Sequence, residues 1–220
     1  MAIQDHFKAR STDIFFAATP NYGTKWIEAL LISTVTPRMY SKHNNPLIPS
    51  NVPYLFPSLD LMVYNKRIFP NLEIIPSPRL LGVHIPYSLL QPSVIKSSCR
   101  IVYVCRNPKD VFVSFWNFTN RLRDQISKPP LTAVDAIERF CKGSSHFGPF
   151  WDHVLGYWKA SLESPEQVLF LKFEQMKAYP TPYLKREGKV GDLENHVTSE
   201  MIERLDQITE EKFRGSGVEL

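Results

Sequence analysis

An α/β domain built on a parallel sheet with helices on its faces is what the sequence predicts, on three observations. Three short runs, Ile14 to Ala18, Ile101 to Cys105 and Val168 to Phe173, are continuous in apolar β-formers instead of alternating, the pattern of strands buried on both faces. Each lies near a segment of helical periodicity, and strand–helix alternation marks a parallel sheet. With 220 residues, 43% hydrophobic and 12% aromatic, the chain can bury one full core, so a single domain over residues 1–220 is expected.

The first strand, in DIFFAAT, runs into PNYGTK and then into a helix over Trp26 to Val35 with Ile27, Leu30, Leu31 and Thr34 on one face. A strand, a short loop with Gly23, then Thr24 and Lys25 at a helix start is the layout in which backbone amides cradle a phosphate. It is not a Walker A loop, because GxxxxGK[ST] needs two glycines and this loop has one.

Between Pro37 and Pro92 lie ten of the 18 prolines, interleaved with Tyr54, Phe56, Tyr64 and Phe69. Proline removes an amide donor and biases the residue before it away from helix, so this stretch should be mostly irregular and draped over the sheet. Two readings stand for it: a long connection, or the apolar wall of a substrate pocket at the carboxyl edge of the strands.

The next strand, RIVYVC, runs straight into Arg106-Asn107-Pro108-Lys109-Asp110. Asn107 is a favoured N-cap, Pro108 suits the first helical position and Asp110 favours the positive end of the helix dipole, so a helix starts where the strand stops. Val111, Phe115, Phe118 and Leu122 are its apolar face. The cap does not account for Arg106. An arginine at a strand's carboxyl end, beside helix N–H groups, is a ready site for a phosphate-like anion, with a charge-assisted contact worth roughly 1.5–3 kcal/mol. Ser114, two turns on, offers a hydroxyl to the same anion. The alternative for Arg106 is a structural pair with a carboxylate. Two anion-shaped strand ends in one sheet suit a nucleotide with phosphates at both ends.

A further helix is marked by Phe150, Trp151, Val154, Leu155, Trp158 and Leu162. Thr198 caps a last one, with Glu200 in its first turn and Met201, Ile202, Leu205, Ile208 and Phe213 along it, until Gly215-Ser216-Gly217 stops it.

Composition narrows the function. Twenty-six basic against 22 acidic residues give +4, too small an excess to argue for nucleic acid but enough for one cationic pocket. Cys99, Cys105 and Cys141 form no CxxC or Cys/His spacing, which fits a reduced, cytoplasmic compartment and argues against a zinc site. The N-terminus has no apolar signal region, and no apolar run approaches the ~20 residues of a membrane span, so a soluble protein with no membrane partner is expected.

SPRLLGVHIPYSLL, CRIVYVCRNPKDVFVSFWNF, FCKGSSHFGPFWDHVLGYWKASLE and VLFLKFEQMK, with GKVGDLENHVT and MIERLDQITEEKFRGSG, together resemble the plant cytosolic sulfotransferases, close to the flavonol type. The resemblance implies a P-loop NTPase-like, three-layer α/β fold. It also implies transfer of a sulfuryl group from 3′-phosphoadenosine 5′-phosphosulfate to a hydroxyl of a small acceptor such as a flavonoid, phenolic or steroid, with no metal. Position by position, His84 matches the catalytic base, and Arg106 and Ser114 the residues that hold the 3′-phosphate. Gly23, Thr24 and Lys25 stand in the phosphate loop, and Trp26 matches the aromatic residue stacked on adenine. Phe173 stands where a nucleotide-facing tyrosine is usual, and Arg186 and Gly188 match an Arg-Lys-Gly element that returns to the 3′-phosphate. An imidazole with an unperturbed pKa near ~6.5 can take the acceptor's proton at neutral pH.

Several positions depart from the family pattern. Asn21 replaces the loop lysine that neutralises the leaving phosphate, a loss worth on the order of 100- to 1,000-fold in rate; Tyr22 replaces a small serine, and for Lys25, new at its position, two readings stand: it reaches the same anion from the first helical turn, or it points to solvent. Glu187 occupies the lysine of Arg-Lys-Gly, Leu193 replaces a tryptophan, and several tens of residues of the family pattern are missing after about residue 180. The dimerisation element survives only as Thr198 and Glu203, with Glu194 and Ser199 at its other positions, which leaves a homodimer open. Two function classes follow: a working or weakened sulfotransferase, and a non-catalytic nucleotide- or acceptor-binding remnant of the family. A nucleotide kinase or NTPase lacks the Walker lysine-serine it would need.

Overall fold

A computed structural model describes residues 7–20, 25–35, 57–60, 72–178 and 198–220. In chain order the elements are β1 (Ile14–Ala18), α1 (Lys25–Val35), β2 (Leu80–Val83), α2 (Pro92–Lys96), β3 (Arg100–Cys105), α3 (Pro108–Gln125), α4 (Ala133–Cys141), α5 (Phe150–Glu163), β4 (Val168–Lys172), α6 (Phe173–Ala178) and α7 (Ser199–Phe213). The four strands form one sheet in the order β2-β1-β3-β4, and every neighbouring pair is parallel.

Side chains alternate across the sheet, and each face is apolar because each is covered. Phe15 and Ala17 of β1, Leu81 and Val83 of β2, and Ile101, Tyr103 and Cys105 of β3 point into one core, closed by Val94 of α2, Val111 and Phe112 of α3, Ile137 and Phe140 of α4, Trp151 and Tyr157 of α5 and Leu205 of α7. The alternate residues Phe16, Ala18, Leu80 and Val104 meet Ile27 and Ile32 of α1 and Phe173 of α6 on the other face. This is a three-layer arrangement, and it explains why the strands read as unbroken apolar runs.

The observed strands refine one expectation and correct another. Within the proline-rich stretch expected to be mostly irregular, of which residues 37–56 and 61–71 lie outside the described residues, Leu80-Leu81-Gly82-Val83 forms β2 beside β1, with Ile14 opposite Leu80 and Ala17 opposite Val83. The strand from Val168 ends at Lys172, and Phe173 is the first residue of α6. Helix α4 is an addition to the elements read from sequence; its start is capped by the Thr198-like device of Thr132 accepting from the Asp135 amide. Asn107 caps α3 as expected, its side chain accepting from the Lys109 N–H, with Pro108 in the first turn. Thr198 caps α7, and Gly215 and Gly217 beyond that helix adopt φ of +72° and +76°, a conformation glycine takes without strain.

The amino-terminal ends of β1 and β2 are tied by a buried ion pair. Arg79 donates to both oxygens of Asp13 at 2.8 and 2.6 Å, and neither side chain is exposed. A further Arg79 N–H reaches the Lys8 carbonyl at 2.9 Å, so the guanidinium's donors are spent on fixed acceptors, as a buried charge requires.

Candidate active site

The strand order sets the location of the site. The chain passes from β1 to β2 on one side, then crosses over β1 to β3 on the other, so the carboxyl ends of β1 and β3 flank the point where strand order reverses, the place where open α/β sheets bind ligands. Ala18 lies opposite Val104. The loop that follows β1 therefore leaves the sheet at the same edge as Arg106 and one strand away from it. His84 follows β2 at that edge too, with Val83 opposite Ala17.

Arg106 is 13% exposed and sits in a framed position. Its Nε and Nη2 donate to one oxygen of Asp110 at 3.2 and 2.8 Å, and its guanidinium carbon lies 4.8 Å from the centre of the Phe173 ring. The carboxylate pairing held open from sequence is thus present. It engages the Nε and Nη2 edge of the guanidinium fork. The first turn of α3 is held in place by Glu174, whose carboxylate accepts from the Asn107 N–H at 2.8 Å. Lys109 turns away to Asp206 of α7, 2.7 Å distant. Ser114 is half-buried on α3.

His84 is held through its backbone, its Nδ1 and one ring face. Its backbone N–H donates to Asp60 Oδ2, and its Nδ1 lies 3.2 Å from Asp60 Oδ1. Ser58 Oγ donates to the same Oδ1 at 2.6 Å and lies 3.4 Å from Nδ1. The Phe147 ring stacks on the imidazole at 5.8 Å between centres and 29° between planes. The His84 carbonyl accepts from His153 Nε2 at 3.0 Å, and the carbonyl of Ile85 from the Tyr157 hydroxyl at 2.9 Å. Residues 57–60 reach this edge because the Gly82 N–H donates to the Pro57 carbonyl at 2.7 Å and Ser58 bridges to Gly82 in parallel.

Around His84 one carboxyl and one imidazole depart from their ordinary values. Burial pushes the Asp60 carboxyl up, but the hydrogen bond and charge of His84, with the Ser58 hydroxyl, outweigh it and hold the group below its ordinary range. Burial drives His153 down to about 4; a carbonyl accepts only, so Nε2 carries its proton and Nδ1 accepts from the Tyr103 hydroxyl at 3.0 Å.

Of the residues singled out from sequence, His84, Arg106, Ser114 and Phe173 lie among the described residues, and the structure brings Arg106 and Phe173 into contact. Lys25 and Trp26 begin α1, and their side chains lie outside the described residues, as do Gly23, Thr24, Arg186 and Gly188. The departures at Asn21, Tyr22, Glu187, Leu193 and Glu194 lie outside them as well. Asp60 and Ser58 escaped the sequence reading, since nothing local marks them; Asp60 reaches His84 across 24 residues of chain.

A parallel α/β sheet with its switch point between β1 and β3, and with an arginine and a helix start at that point, has the layout of α/β domains that bind ligands outside the carboxyl ends of their strands. The family model for the sulfotransferase domain matches residues 11–186. Cytosolic sulfotransferase 17 of Arabidopsis thaliana is 34% identical, with 97% of this chain and 78% of that protein covered. Cytosolic sulfotransferase 5 of the same plant is also 34% identical, over 98% and 84%. A solved Arabidopsis thaliana sulphotransferase superposes with a TM-score of 0.84 at 34% identity, over 100% of this chain and 82% of that one. The mouse sulfotransferase SULT7A1, solved in complex with PAP, shares the fold, with a TM-score of 0.71 at 24% identity over 98% and 88%. The chain belongs to the plant cytosolic sulfotransferase family. It is thereby a sulfotransferase that uses 3′-phosphoadenosine 5′-phosphosulfate. Among the described residues no helix is long and apolar enough to cross a membrane.

Proposed function

We propose that residues 1–220 act as one sulfotransferase domain that sulfates a hydroxyl of a small flavonoid, phenolic or steroid-like acceptor, with His84 as the general base. Arg106 and Ser114 hold the 3′-phosphate of the donor beside the start of α3, joined by Arg186 and Gly188. Gly23, Thr24 and Lys25 receive the 5′-phosphosulfate end, Trp26 stacks on adenine, and Phe173 forms the floor under Arg106. The observation that carries this reading is the placing of His84 and Arg106 on strands either side of β1, at one edge of the sheet.

The acceptor hydroxyl attacks sulfur in line. Its proton passes to His84, the new sulfur–oxygen bond forms as the bond to the phosphate oxygen breaks, and the electron pair leaves with adenosine 3′,5′-bisphosphate. Positioning the two substrates and meeting the charge on the departing phosphate are the protein's tasks. With Asn21 in the loop, that charge falls to backbone amides and Lys25. The reading uses no metal, no nucleic acid and no membrane.

Two measurements test it. Isothermal titration with adenosine 3′,5′-bisphosphate should show binding that weakens by roughly 10- to 100-fold in Arg106→Ala, the loss of a charge-assisted contact. A radiolabelled donor with a panel of hydroxyl acceptors should show transfer above a His84→Ala control. Binding that ignores Arg106 overturns the phosphate assignment, and binding without transfer in folded protein replaces the enzyme with a nucleotide-binding remnant.

A further inference from the structure

We propose that Asp60 is a positioning residue for His84, fixing the imidazole with its proton on Nδ1 so that Nε2 faces the acceptor hydroxyl. The inference rests on the reading of His84 as the base.

Hydrogen counting leads to it. Asp60 is 1% exposed, and a buried carboxylate persists only where donors converge on it. Among the described residues these are the Ser58 hydroxyl and His84 Nδ1 on Oδ1, and the His84 backbone N–H on Oδ2. An ionised carboxylate accepts and never donates, so the hydrogen between Nδ1 and Oδ1 belongs to the ring. Ser58 has one hydroxyl hydrogen, and its Oγ, 2.6 Å from Oδ1, donates it there, so the same Oγ, 3.4 Å from Nδ1, offers that nitrogen a lone pair and no proton. Both neighbours of Nδ1 therefore ask for the same tautomer, which assigns base function to Nε2. The two Asp60 oxygens grip main chain and ring of one residue, and Phe147 covers the ring face, so the imidazole has little freedom to swing. When Nε2 takes the acceptor's proton, the resulting imidazolium stays beside a carboxylate that balances its charge. Asp60 touches neither substrate in this scheme; it acts through His84.

Nitrogen-15 correlation spectra of the histidine-labelled full chain at pH 8 test the proposal without substrate. The His84 ring, assigned by its absence in His84→Gln, should show the Nδ1–H pattern. In Asp60→Asn the side-chain amide retains one oxygen, needed by the His84 backbone N–H, and turns its NH2 toward Nδ1, so the pattern should change to Nε2–H. Steady-state kinetics of that variant should show kcat lower by roughly 10- to 100-fold, as for lost partners of other ligating or reacting histidines, with both KM values within about 2-fold. Asp60→Glu should recover part of the kcat. An Nε2–H pattern in the unaltered chain overturns the proposal, as does an unchanged kcat in folded Asp60→Asn. If that variant fails to fold, the tautomer of the unaltered chain still decides. Full activity in His84→Ala would remove the base reading while the tautomer result stood on its own, so the two failures are distinguishable.

Discussion

His153 should make the protein lose stability as pH falls from neutrality to pH 4.5. It is 1% exposed, and its two ring nitrogens are committed to the Tyr103 hydroxyl and the His84 carbonyl. Burial lowers it from 6.5 to about 4, with the neighbouring His84 charge acting in the same direction and Asp60 and the backbone carbonyls opposing. Between those values the unfolded chain binds a proton that the folded chain refuses, so stability rises with pH there and is lost on acidification. At about 1.4 kcal/mol per pH unit, the group removes about 3 kcal/mol from the folded state once both forms are protonated, most of it by pH 4.5. That is a large share of the ~5–15 kcal/mol typical of a domain. The comparison is with His153→Gln, whose amide keeps a donor for the His84 carbonyl and an acceptor for Tyr103 but does not titrate. Urea unfolding followed by tryptophan fluorescence, at pH 7.5 and 4.5, should show the unaltered chain losing about 2–3 kcal/mol more than the variant. Parallel pH profiles for the two proteins would refute the assignment of this acid step to His153.

Arg79→Ala leaves Asp13 buried without its counter-charge and should lower the urea-unfolding free energy by about 3–5 kcal/mol. Adenosine 3′,5′-bisphosphate affinity of the folded fraction should stay within about 2-fold of the parent, because the pair lies at the opposite end of the sheet from Arg106, too far for direct coupling. Phe147→Ala removes the ring stacked on His84 and should lower kcat by roughly 2- to 10-fold, the worth of an aromatic stack that holds the imidazole, with donor KM unchanged in the same assay. Asp60→Asn should be less stable than the parent at pH 7; because the Asp60 carboxyl is held below its usual range, the parent's advantage should shrink as pH falls through that lowered value, read by acid titration of circular dichroism. Phe112→Ala, at a position with no exposure, should cost about 3–5 kcal/mol by urea unfolding through the cavity it leaves.

Legibility in the sequence followed burial and locality. β1 and β3 announced themselves because both faces are covered and nothing polar interrupts them; β4 read as the same kind of run, although it lies at the sheet edge with Leu169 52% exposed. β2 did not, because it is four residues long, contains Gly82 and lies among prolines; its identity as a strand comes from pairing with β1. α4 carried a usable signal in Thr132 and Asp135, a cap and its third residue, at the edge of a charged stretch that masked it. At the site, the Asn107-Pro108 start of α3 was local chemistry and therefore readable, as was Asp110 one turn from Arg106. The Phe173 ring beneath Arg106 and the Asp60 carboxylate behind His84 were not, since each is delivered by a sheet contact between segments distant in the chain.

The Tyr103 and Tyr157 rings stack 4.2 Å apart and 10° from parallel. One phenol is bonded to His153 and the other to the carbonyl next after that of His84. This pair gives the enzyme a native optical gauge: loading a proton onto His153 forces the Tyr103 O–H to reverse, and the near-ultraviolet absorption of the coupled phenols moves with it. Protonation of His153, which is bonded to the His84 carbonyl at the carboxyl edge of the sheet, should thereby be readable by difference spectroscopy in unlabelled protein.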